Sequence, residues 1–358
     1  MDVTRIARRA RLYMEGVSRL RRAARETYHV PWTRLWRRAL HLRRAHGFAM
    51  DEALAMGLLD PARGETPAAL SKRETLALQR RLNRPRLEAL TENKLAFARL
   101  AVAAGLAVPR TVGALAAEGT AWTEPAGDGD LVPWEALLAA LPGECVVKPV
   151  WGYHGEGLRV LRPAGDGIEV NGVPHAVTAL AAELRADAAG DDWLVQERVR
   201  NHPDLAPFGS PEGLHTLRVT TLVGGGGGVQ VLHANLRVSV SGWIDNYRGG
   251  RSGNLDVRLD PADGRIAAVL RARGDGCGQE EIAADPVSGR TLVGVRVPLW
   301  PEVIALARRA ACAFLPMRSI GWDVAVTPAG PVIIEANMWW DPPPSSPLRP
   351  RLAALRER

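Results

Sequence analysis

The sequence predicts an α+β fold with a basic helical extension at its N-terminus, and three observations lead to this prediction. Apolar residues recur at helical spacing through residues 1–50, where arginine fills most of the remaining face. Farther along the chain, short apolar runs are joined by glycine turns, which is typical of β-hairpins. Residues 298–316 carry an amphipathic helical pattern among those strands.

The composition is that of a globular protein, with 358 residues, of which 46% are hydrophobic and 24% are charged. This length allows one large domain or two to three small ones. No apolar run is long enough to span a bilayer, and the N-terminus lacks the apolar core of a secretory signal. The only cysteines are Cys145, Cys277 and Cys312, without metal-like spacing, which predicts a reducing compartment and no disulfide framework. We therefore expect a cytoplasmic protein, either free or peripheral to a membrane.

The net charge of the chain is +7, which favours acidic partners such as nucleotides, phosphosugars, anionic lipids or nucleic acids. The basic residues are nearly all arginine, and lysine occurs only at Lys72, Lys94 and Lys148. A lysine ammonium is a compact point charge that a planar guanidinium does not replace. The three lysines are therefore candidates for positions where the chemistry requires an ammonium group.

The first 50 residues are predicted to form helices with a break at Pro31. Two interpretations stay open: a solvated helical face, or a basic surface for membrane lipid, nucleic acid or a phosphorylated partner. Nucleic acid is disfavoured, because this interpretation rests on charge alone and the region lacks the interleaved aromatics and glycines of an RNA-binding motif. The arginines of this region include Arg5, Arg8, Arg9, Arg21, Arg22, Arg37, Arg38, Arg43 and Arg44.

Later elements follow in a regular order. Residues 51–90 are predicted as short helices, residues 92–107 as a helix ending near Gly105, and residues 119–133 as a loop. Further helices are predicted in WEALLAAL, HAVTALAAELRAD and the C-terminal segment. The predicted strands are VPRTVGAL, ECVVKPV, LRVLR, DWLVQERV, HTLRVTTLV, VQVLHANLRVSV, GWDVAV and VIIEAN, and the glycine run 224–228 forms a hairpin tip.

A glycine-rich turn follows the strand that ends near Lys148. It contains Gly152, Gly155 and Gly157 within the run KPVWGYHGEG. Glycines let backbone amides approach phosphate oxygens, and the lysine adds positive charge. The alternative is a glycine hairpin without a ligand. The run is not a P-loop, because GxxxxGKS and GxxxxGKT are absent, and it is not a dinucleotide fingerprint, because no helix follows directly.

Three oxygen-bearing side chains lie on two predicted strands near the C-terminus. Asp323 lies on the first strand, and Glu335 and Asn337 lie two residues apart, and therefore on one face, of the second. Hard oxygen donors at neighbouring strand ends suit Mg²⁺ that also binds nucleotide phosphates. The alternative is an acid pair satisfied by local hydrogen bonds, although buried acids without a partner or cation are costly.

Polar residues also end or interrupt other apolar strands. Gln196 and Glu197 end a strand at a point where a chain often crosses between lobes. Arg218 and Arg237 lie inside strands, where a buried arginine needs an anionic partner, either structural or bound.

One further turn contains polar residues next to flexible glycines. Asp245, Asn246 and Arg248 precede the glycine pair at 249–250 in IDNYRGG. This segment is either an ordinary turn or a loop that orders over a substrate.

Taken together, these motifs resemble those of a known superfamily. Their order is the Glu92-Asn93-Lys94 helix, KPxxGxxGxG, QExV, TLRV, DNxRGG, GWDVA and ExN, over about residues 80–345. This order resembles the ATP-grasp superfamily, and more narrowly the sugar-transfer-associated ATP-grasp proteins. It is also similar to the glutamate ligases that extend ribosomal protein tails. The resemblance implies an ATP-grasp fold, in which two α+β lobes clasp ATP.

The resemblance also implies a role for each matching residue. The ATP-binding residues are Lys94, Lys148, Gly152, Gly155, Gly157 and Arg218 around the phosphates, and Gln196, Glu197 and Val199 around adenine. The ligands of Mg²⁺ (or Mn²⁺) are Asp323, Glu335 and Asn337. The catalytic residues are Lys148, Arg218, Asn246 and Arg248, with Arg218 facing the γ-phosphate or acyl phosphate and the last two beside the acceptor or the phosphates.

The expected organisation has three parts: a basic helical region over 1–80, a small lobe with a linker helix over 81–200, and a large lobe with the metal site over 201–358. The basic helices replace the N-terminal α/β domain that many ATP-grasp enzymes use to bind substrate. Substrate assignment by analogy is therefore poor.

The expected activity is that of an ATP-dependent ligase. It would activate a small-molecule or peptide carboxylate as an acyl phosphate for attack by an amine, in cell-surface polysaccharide or envelope metabolism. The alternatives are a kinase that phosphorylates a hydroxyl and a non-catalytic nucleotide-binding module. The basic helices would contact an anionic membrane surface or glycan machinery.

Overall fold

A computed structural model describes residues 3–64, 66–123, 131–152, 155–187, 191–240, 242, 252–342 and 347–356. It contains two antiparallel sheets and an N-terminal group of helices, which confirms the predicted α+β class with a helical extension. Asp245, Asn246 and Arg248 lie outside the described residues.

The helices are α1 (Val3–Glu26), α2 (Trp32–His46), α3 (Met50–Ala55), α4 (Lys72–Leu82), α5 (Ala89–Glu92), α6 (Lys94–Ala103), α7 (Trp134–Ala139), α8 (Val177–Asp187), α9 (Trp300–Ala313) and α10 (Leu348–Arg356), with a 3₁₀ turn at Pro85–Leu87. The strands are β1 (Thr111–Leu115), β2 (Thr120–Thr123), β3 (Val132–Pro133), β4 (Cys145–Pro149), β5 (Arg159–Ala164), β6 (Gly167–Val170), β7 (Val173–His175), β8 (Trp193–Glu197), β9 (Thr216–Val223), β10 (Val229–Val238), β11 (Leu255–Leu259), β12 (Ile266–Ala272), β13 (Gln279–Glu281), β14 (Ser319–Thr327) and β15 (Gly330–Asn337).

The first sheet has eight strands in the order β3-β2-β1-β8-β4-β5-β6-β7. Helices α7 and α8 cover one face, and their apolar side chains share a core with those of β1, β4 and β8. Trp134 and Trp193 are among the largest side chains in this core. In the centre of the sheet β4 and β8 run antiparallel, so that Lys148 pairs with Leu194 and Gln196 pairs with Val146.

The second sheet has seven strands in the order β13-β12-β11-β10-β9-β14-β15. One face is apolar and packs against α9 and α6, with Phe314 in contact with both Phe97 and Trp322 at ring-centroid distances of 5.7 and 5.3 Å. Since side chains alternate between the faces of a strand, the polar residues of β9, β14 and β15 point to the opposite face. This sheet face carries the charged residues described below.

The N-terminal helices form a separate apolar core that also includes Cys277, from the turn between β12 and β13. The chain leaves α1 before Pro31, which precedes α2, as the sequence predicts. Arg38 is not a solvated arginine, because its guanidinium donates to the carbonyl oxygens of Leu58 at 2.6 Å and Gly64 at 2.8 Å. It therefore ties α2 to the turn that follows α3.

The predicted loop over 119–133 is wrong in part, because β2 and β3 lie within it. Gly119, with a φ of +102°, reverses the chain so that Ala121 and Trp122 pair with β1. The surrounding glycine, proline and aspartate hide this short strand in the sequence, since pairing with a neighbour determines it.

Candidate active site

A cleft between the polar face of the second sheet and strands β4 and β8 of the first sheet gathers most of the predicted site residues. The lining residues among them are Lys94, Lys148, Gly152, Gly155, Gln196, Glu197, Val199, Arg218, Asp323, Glu335 and Asn337. Gly157 lies outside this lining, and its α-carbon faces the Pro149 ring.

Two lysines line the cleft from the side of the first sheet. Lys148 is near the end of β4 and is only 8% exposed. Lys94 is the first residue of α6, and its ammonium donates to the carbonyl oxygen of Gly152 at 2.8 Å. The backbone N–H of Lys94 also donates to the carbonyl of Val150 at 3.0 Å. These bonds attach the start of α6 to the glycine turn and hold two cations near one another.

The environment makes both ammonium groups less basic than usual. Burial lowers the pKa of Lys148 to about 8, the Glu335 carboxylate opposes this shift, and the Lys94 cation adds to it. Burial also lowers the pKa of Lys94, and Glu335 again opposes the shift. Two partly desolvated cations close to one another suit a polyanion such as a nucleotide phosphate chain.

The glycine turn requires its glycines for backbone reasons. Gly152 and Gly155 have φ values of +135° and +68°, a region that side chains disfavour. At Gly157, with a φ of +76°, an added Cβ would lie 2.9 Å from Cγ of Pro149. The turn can therefore fold back tightly onto the strand that carries Lys148.

Strand register brings the charged residues of the second sheet into one row. Asp323 lies opposite Arg218 on β9 and opposite Glu335 on β15. Arg218 donates to Asp323 through both Nε and a terminal nitrogen, the latter at 2.9 Å, and Arg237 adds a contact at 3.4 Å. Burial opposes ionisation of Asp323, but the two arginines outweigh it and hold its pKa far below the usual value.

Glu335 has the opposite environment. Burial, the neighbouring Asp323 carboxylate and a hydrogen bond between the two acids raise the pKa of Glu335 to about 7. The carboxamide of Asn337 donates to Oε1 of Glu335 at 3.3 Å. We call Asp323, Glu335 and Asn337 together the acidic edge.

The acidic edge fits a divalent cation. Two carboxylates and a carboxamide are hard oxygen donors of the kind that Mg²⁺ prefers. A cation beside the pair would favour ionisation of Glu335, whose pKa is raised by its acidic neighbour. Among the described residues, no group of three histidine, cysteine or acidic side chains could hold a metal ion, so the Asn337 oxygen and other ligands would complete the set.

The segment after β8 connects the two sheets. Gln196 is buried and donates to the carbonyl of Pro109 at 3.4 Å, while Glu197 forms an ion pair with Arg110. These bonds join β8 to the residues before β1. Glu197 and Val199 then line the cleft.

Five further residues of this region are evident only from the structure. Glu144 accepts hydrogen bonds from Arg162 at 2.8 Å, from Arg198 at 3.2 Å and from Arg200. Arg198 also donates to Glu212 at 2.6 Å. One carboxylate thus ties β5 to the segment that leads into the second sheet. Arg198 and Glu212 line the cleft.

Two other residues were visible in the sequence but were not assigned to the site. The sequence predicts that Arg237 is a buried arginine, and only the pairing of β10 with β9 places it beside Asp323. Glu92 reads as part of a helix start, but its buried carboxylate accepts the backbone N–H of Met338 at 2.9 Å. Glu92 thereby anchors the chain immediately after Asn337.

Comparison with known proteins places most of the chain in one family. The profile described as sugar-transfer associated ATP-grasp matches residues 73–345, a span that contains every residue lining the cleft. No curated protein matches the chain.

Several solved structures are similar to the chain at low sequence identity. The ADP complex of purK, an N5-carboxyaminoimidazole ribonucleotide synthetase, is 15% identical with a TM-score of 0.41, over 76% of this chain and 52% of that chain. An L-amino acid ligase from Bacillus licheniformis is 13% identical with a TM-score of 0.36, over 70% and 40%. A RimK domain protein ATP-grasp from Sphaerobacter thermophilus DSM 20745 is 15% identical with a TM-score of 0.37, over 86% and 75%. The chain spans about half the length of the first of these proteins.

Proposed function

The chain belongs to the sugar-transfer-associated ATP-grasp family, and from this premise we propose that it is a Mg²⁺- and ATP-dependent ligase that activates a carboxylate for attack by an amine. One observation carries the proposal. The buried Lys148 and the half-buried Lys94 on one side of the cleft face an acidic edge on the other, and Lys148 and Glu335 interact electrostatically across it. A metal-bound polyphosphate needs positive side chains for its phosphates and negative side chains for its metal ion.

In this proposal ATP lies along the cleft, with its adenine ring at one end and its phosphates at the other. The adenine ring packs beside Gln196, Glu197 and Val199, where β8 leaves the first sheet. The phosphates lie under the glycine turn between Lys94 and Lys148. Mg²⁺ bound at the acidic edge would neutralise negative charge on the phosphates while the γ-phosphoryl group is transferred from one oxygen to another.

The proposed reaction proceeds in two displacements. A substrate carboxylate oxygen attacks the γ-phosphorus, the bond to the β–γ bridging oxygen breaks, and ADP leaves. The amine nitrogen then attacks the acyl carbon of the acyl phosphate, inorganic phosphate leaves with the bonding electrons, and the nitrogen loses its proton. Lys148 and Arg218 would stabilise the charge that develops on the transferred phosphoryl group, and no covalent enzyme nucleophile is needed.

Other parts of the proposal concern residues and boundaries beyond the cleft. Asn246 and Arg248 are proposed to lie beside the acceptor or the phosphates. The helical region up to residue 80, the small lobe up to residue 200 and the large lobe beyond it are proposed as the three parts of the chain. Cell-surface polysaccharide or envelope metabolism is proposed as the setting, because the family is associated with sugar transfer.

An oxygen-18 experiment tests the ligase. Pools of carboxylates labelled with oxygen-18 are incubated with amines, ATP and Mg²⁺, and ADP release is followed together with the mass of the released phosphate. We expect ADP release that depends on both substrates, with label in the inorganic phosphate, because a carboxylate oxygen leaves with it. A stable phosphoester without labelled phosphate would instead show a kinase, and ATP binding without substrate-dependent ADP would show a non-catalytic module.

Binding of Mg-ATP is expected to be strongest between about pH 7 and about pH 8. Glu335 has a pKa raised to about 7, so below this value its protonated carboxyl weakens cation binding. Lys148 has a pKa lowered to about 8, so above this value it loses the charge that attracts phosphate. Calorimetric affinities across this range would show both limbs, and omitting Mg²⁺ should remove the acidic limb. Glu335 and Lys148 interact, so their titrations are coupled. An affinity for Mg-ATP that does not change with pH would therefore contradict the roles of both residues.

A further inference from the structure

The N-terminal helices carry charge that the ATP-grasp family does not account for, because the family match begins at residue 73. Residues 1–46 contain thirteen arginines and only three acidic residues, so their positive excess is larger than the +7 of the whole chain. The remaining chain is therefore slightly acidic. This asymmetry separates the basic region electrostatically from the rest of the protein.

The structure shows that much of this charge is exposed to solvent. We call the exposed residues Arg21, Arg22, Arg25, Arg34, Arg37 and Arg44 the basic surface. Along α2, Arg37 and Arg44 lie on the side opposite the buried Leu35 and Leu42, and the exposed Arg34 lies next to that side. Among the described residues, Arg25 alone of these six forms an ion pair, with Glu26.

The basic surface includes an exposed aromatic ring. Trp32 is 39% exposed and lies with Arg21, Arg22 and Arg25 around a shallow notch between α1 and α2. On α1, Met14 is 67% exposed. Tryptophan prefers the boundary between water and lipid acyl chains, where its ring is buried and its N–H stays hydrated.

We propose that the basic surface docks the protein on a membrane that contains anionic phospholipids. Arginine guanidiniums would pair with lipid phosphate and carboxylate groups, and Trp32 would enter the headgroup layer. A nucleic acid fits less well, because the Arg21 guanidinium lies 4.9 Å from the centre of the Trp32 ring and covers a face on which a base would stack. Among the described residues no helix is long and apolar enough to cross a bilayer, so this contact would lie at the surface.

The test is cosedimentation of the full chain with vesicles of phosphatidylcholine and with vesicles containing about one third phosphatidylserine. The wild type is expected to bind only the second kind, and less at high salt, because the Debye length is then shorter. The triple variant Arg34→Gln, Arg37→Gln, Arg44→Gln is expected to bind about 10²-fold more weakly, at about fivefold per arginine. Trp32→Ala is expected to weaken binding several-fold.

A matched variant distinguishes the effect of the basic surface from the effect of the protein's net charge. Arg290→Gln, Arg308→Gln, Arg309→Gln removes the same charge from exposed positions elsewhere and should bind vesicles as the wild type does. Thermal unfolding and Mg-ATP calorimetry confirm that each variant is folded. Equal loss in both triple variants, equal binding to both vesicle types, or no vesicle binding would overturn the proposal. So would binding to a DNA or RNA duplex that is tighter than to the anionic vesicles and is lost in the first triple variant.

Discussion

Replacing Lys148 by alanine is expected to abolish detectable Mg-ATP binding and to lower turnover by about 10²–10³-fold, the cost of losing one preorganised charge. Lys148 is buried, and the folded protein already holds its ammonium at a lowered pKa of about 8. The charge therefore does not stabilise the empty protein, and the fold should survive its removal. Calorimetry with and without Mg²⁺, on the wild type and the variant, measures the effect.

Two controls make this prediction specific. Lys148→Met keeps most of the side-chain volume while it removes the charge, so it distinguishes electrostatic loss from a cavity. Lys72→Ala removes an exposed ammonium whose ion pair with Asp341 is worth about 0–1 kcal/mol, and it should leave ATP affinity near that of the wild type. A folded Lys148→Met protein that binds Mg-ATP like the wild type would show that the site is wrong.

Glu335→Gln is expected to lower the activity of the protein and to raise its stability. Turnover should fall by about 10²–10³-fold, because a neutral carboxamide is a weaker cation ligand. Near pH 8 the free energy of unfolding should nevertheless rise, by roughly 1–3 kcal/mol. Glu335 has a folded pKa of about 7, above its ordinary value, so its ionisation destabilises the folded state as pH rises through that range.

Denaturant unfolding at about pH 5 and about pH 8 measures this effect. The gain in stability should be present at the higher pH and small at the lower one, where Glu335 is mostly protonated in the folded state. Glu302→Gln, at an exposed position in α9, provides the matched change at the protein surface. Full turnover in a folded Glu335→Gln protein would remove the acidic edge from the mechanism, and lower stability at both pH values would show that the Glu335 carboxylate is not strained.

The acidic edge was accessible from sequence because its pattern is local. A two-residue spacing places Glu335 and Asn337 on the same side of any strand, and the short turn after β14 brings Asp323 opposite Glu335. The segment from Lys148 to Gly157 was accessible for the same reason, since one strand and one turn define it. Such features need no knowledge of the rest of the fold.

Other features depend on pairing between distant segments. Arg218 and Arg237 look equivalent in sequence, and only the antiparallel register of β9 and β10 shows that both reach Asp323. Glu144 precedes an ordinary strand, and its three arginine partners come from β5 and from the segment after β8. No short-range pattern marks such a residue, because the chain must fold before its partners meet.

The arginines of α2 show a similar limit. Arg37 and Arg38 are adjacent and chemically identical, but Arg37 is exposed while Arg38 is bound to carbonyl oxygens. A helix rotates about 100° per residue, so neighbours face different surroundings. The helical period is visible in the sequence, but the direction of the core is not.

Helix α4 crosses the boundary of the family match. The family match starts at residue 73, yet the side chain of Ser71, before that point, accepts the N–H of Glu74 and caps the helix. From α4 and just after it, Gln79 donates to the carbonyl of Trp340, and Asn83 bonds with the backbone of Ser319, at the start of the strand that carries Asp323. A truncated chain that kept only the inherited segment would lose the cap of the helix that supports the acidic edge. That loss would cost about 1 kcal/mol, the usual contribution of an N-cap, so residues outside the matched segment help to hold the acidic edge in place.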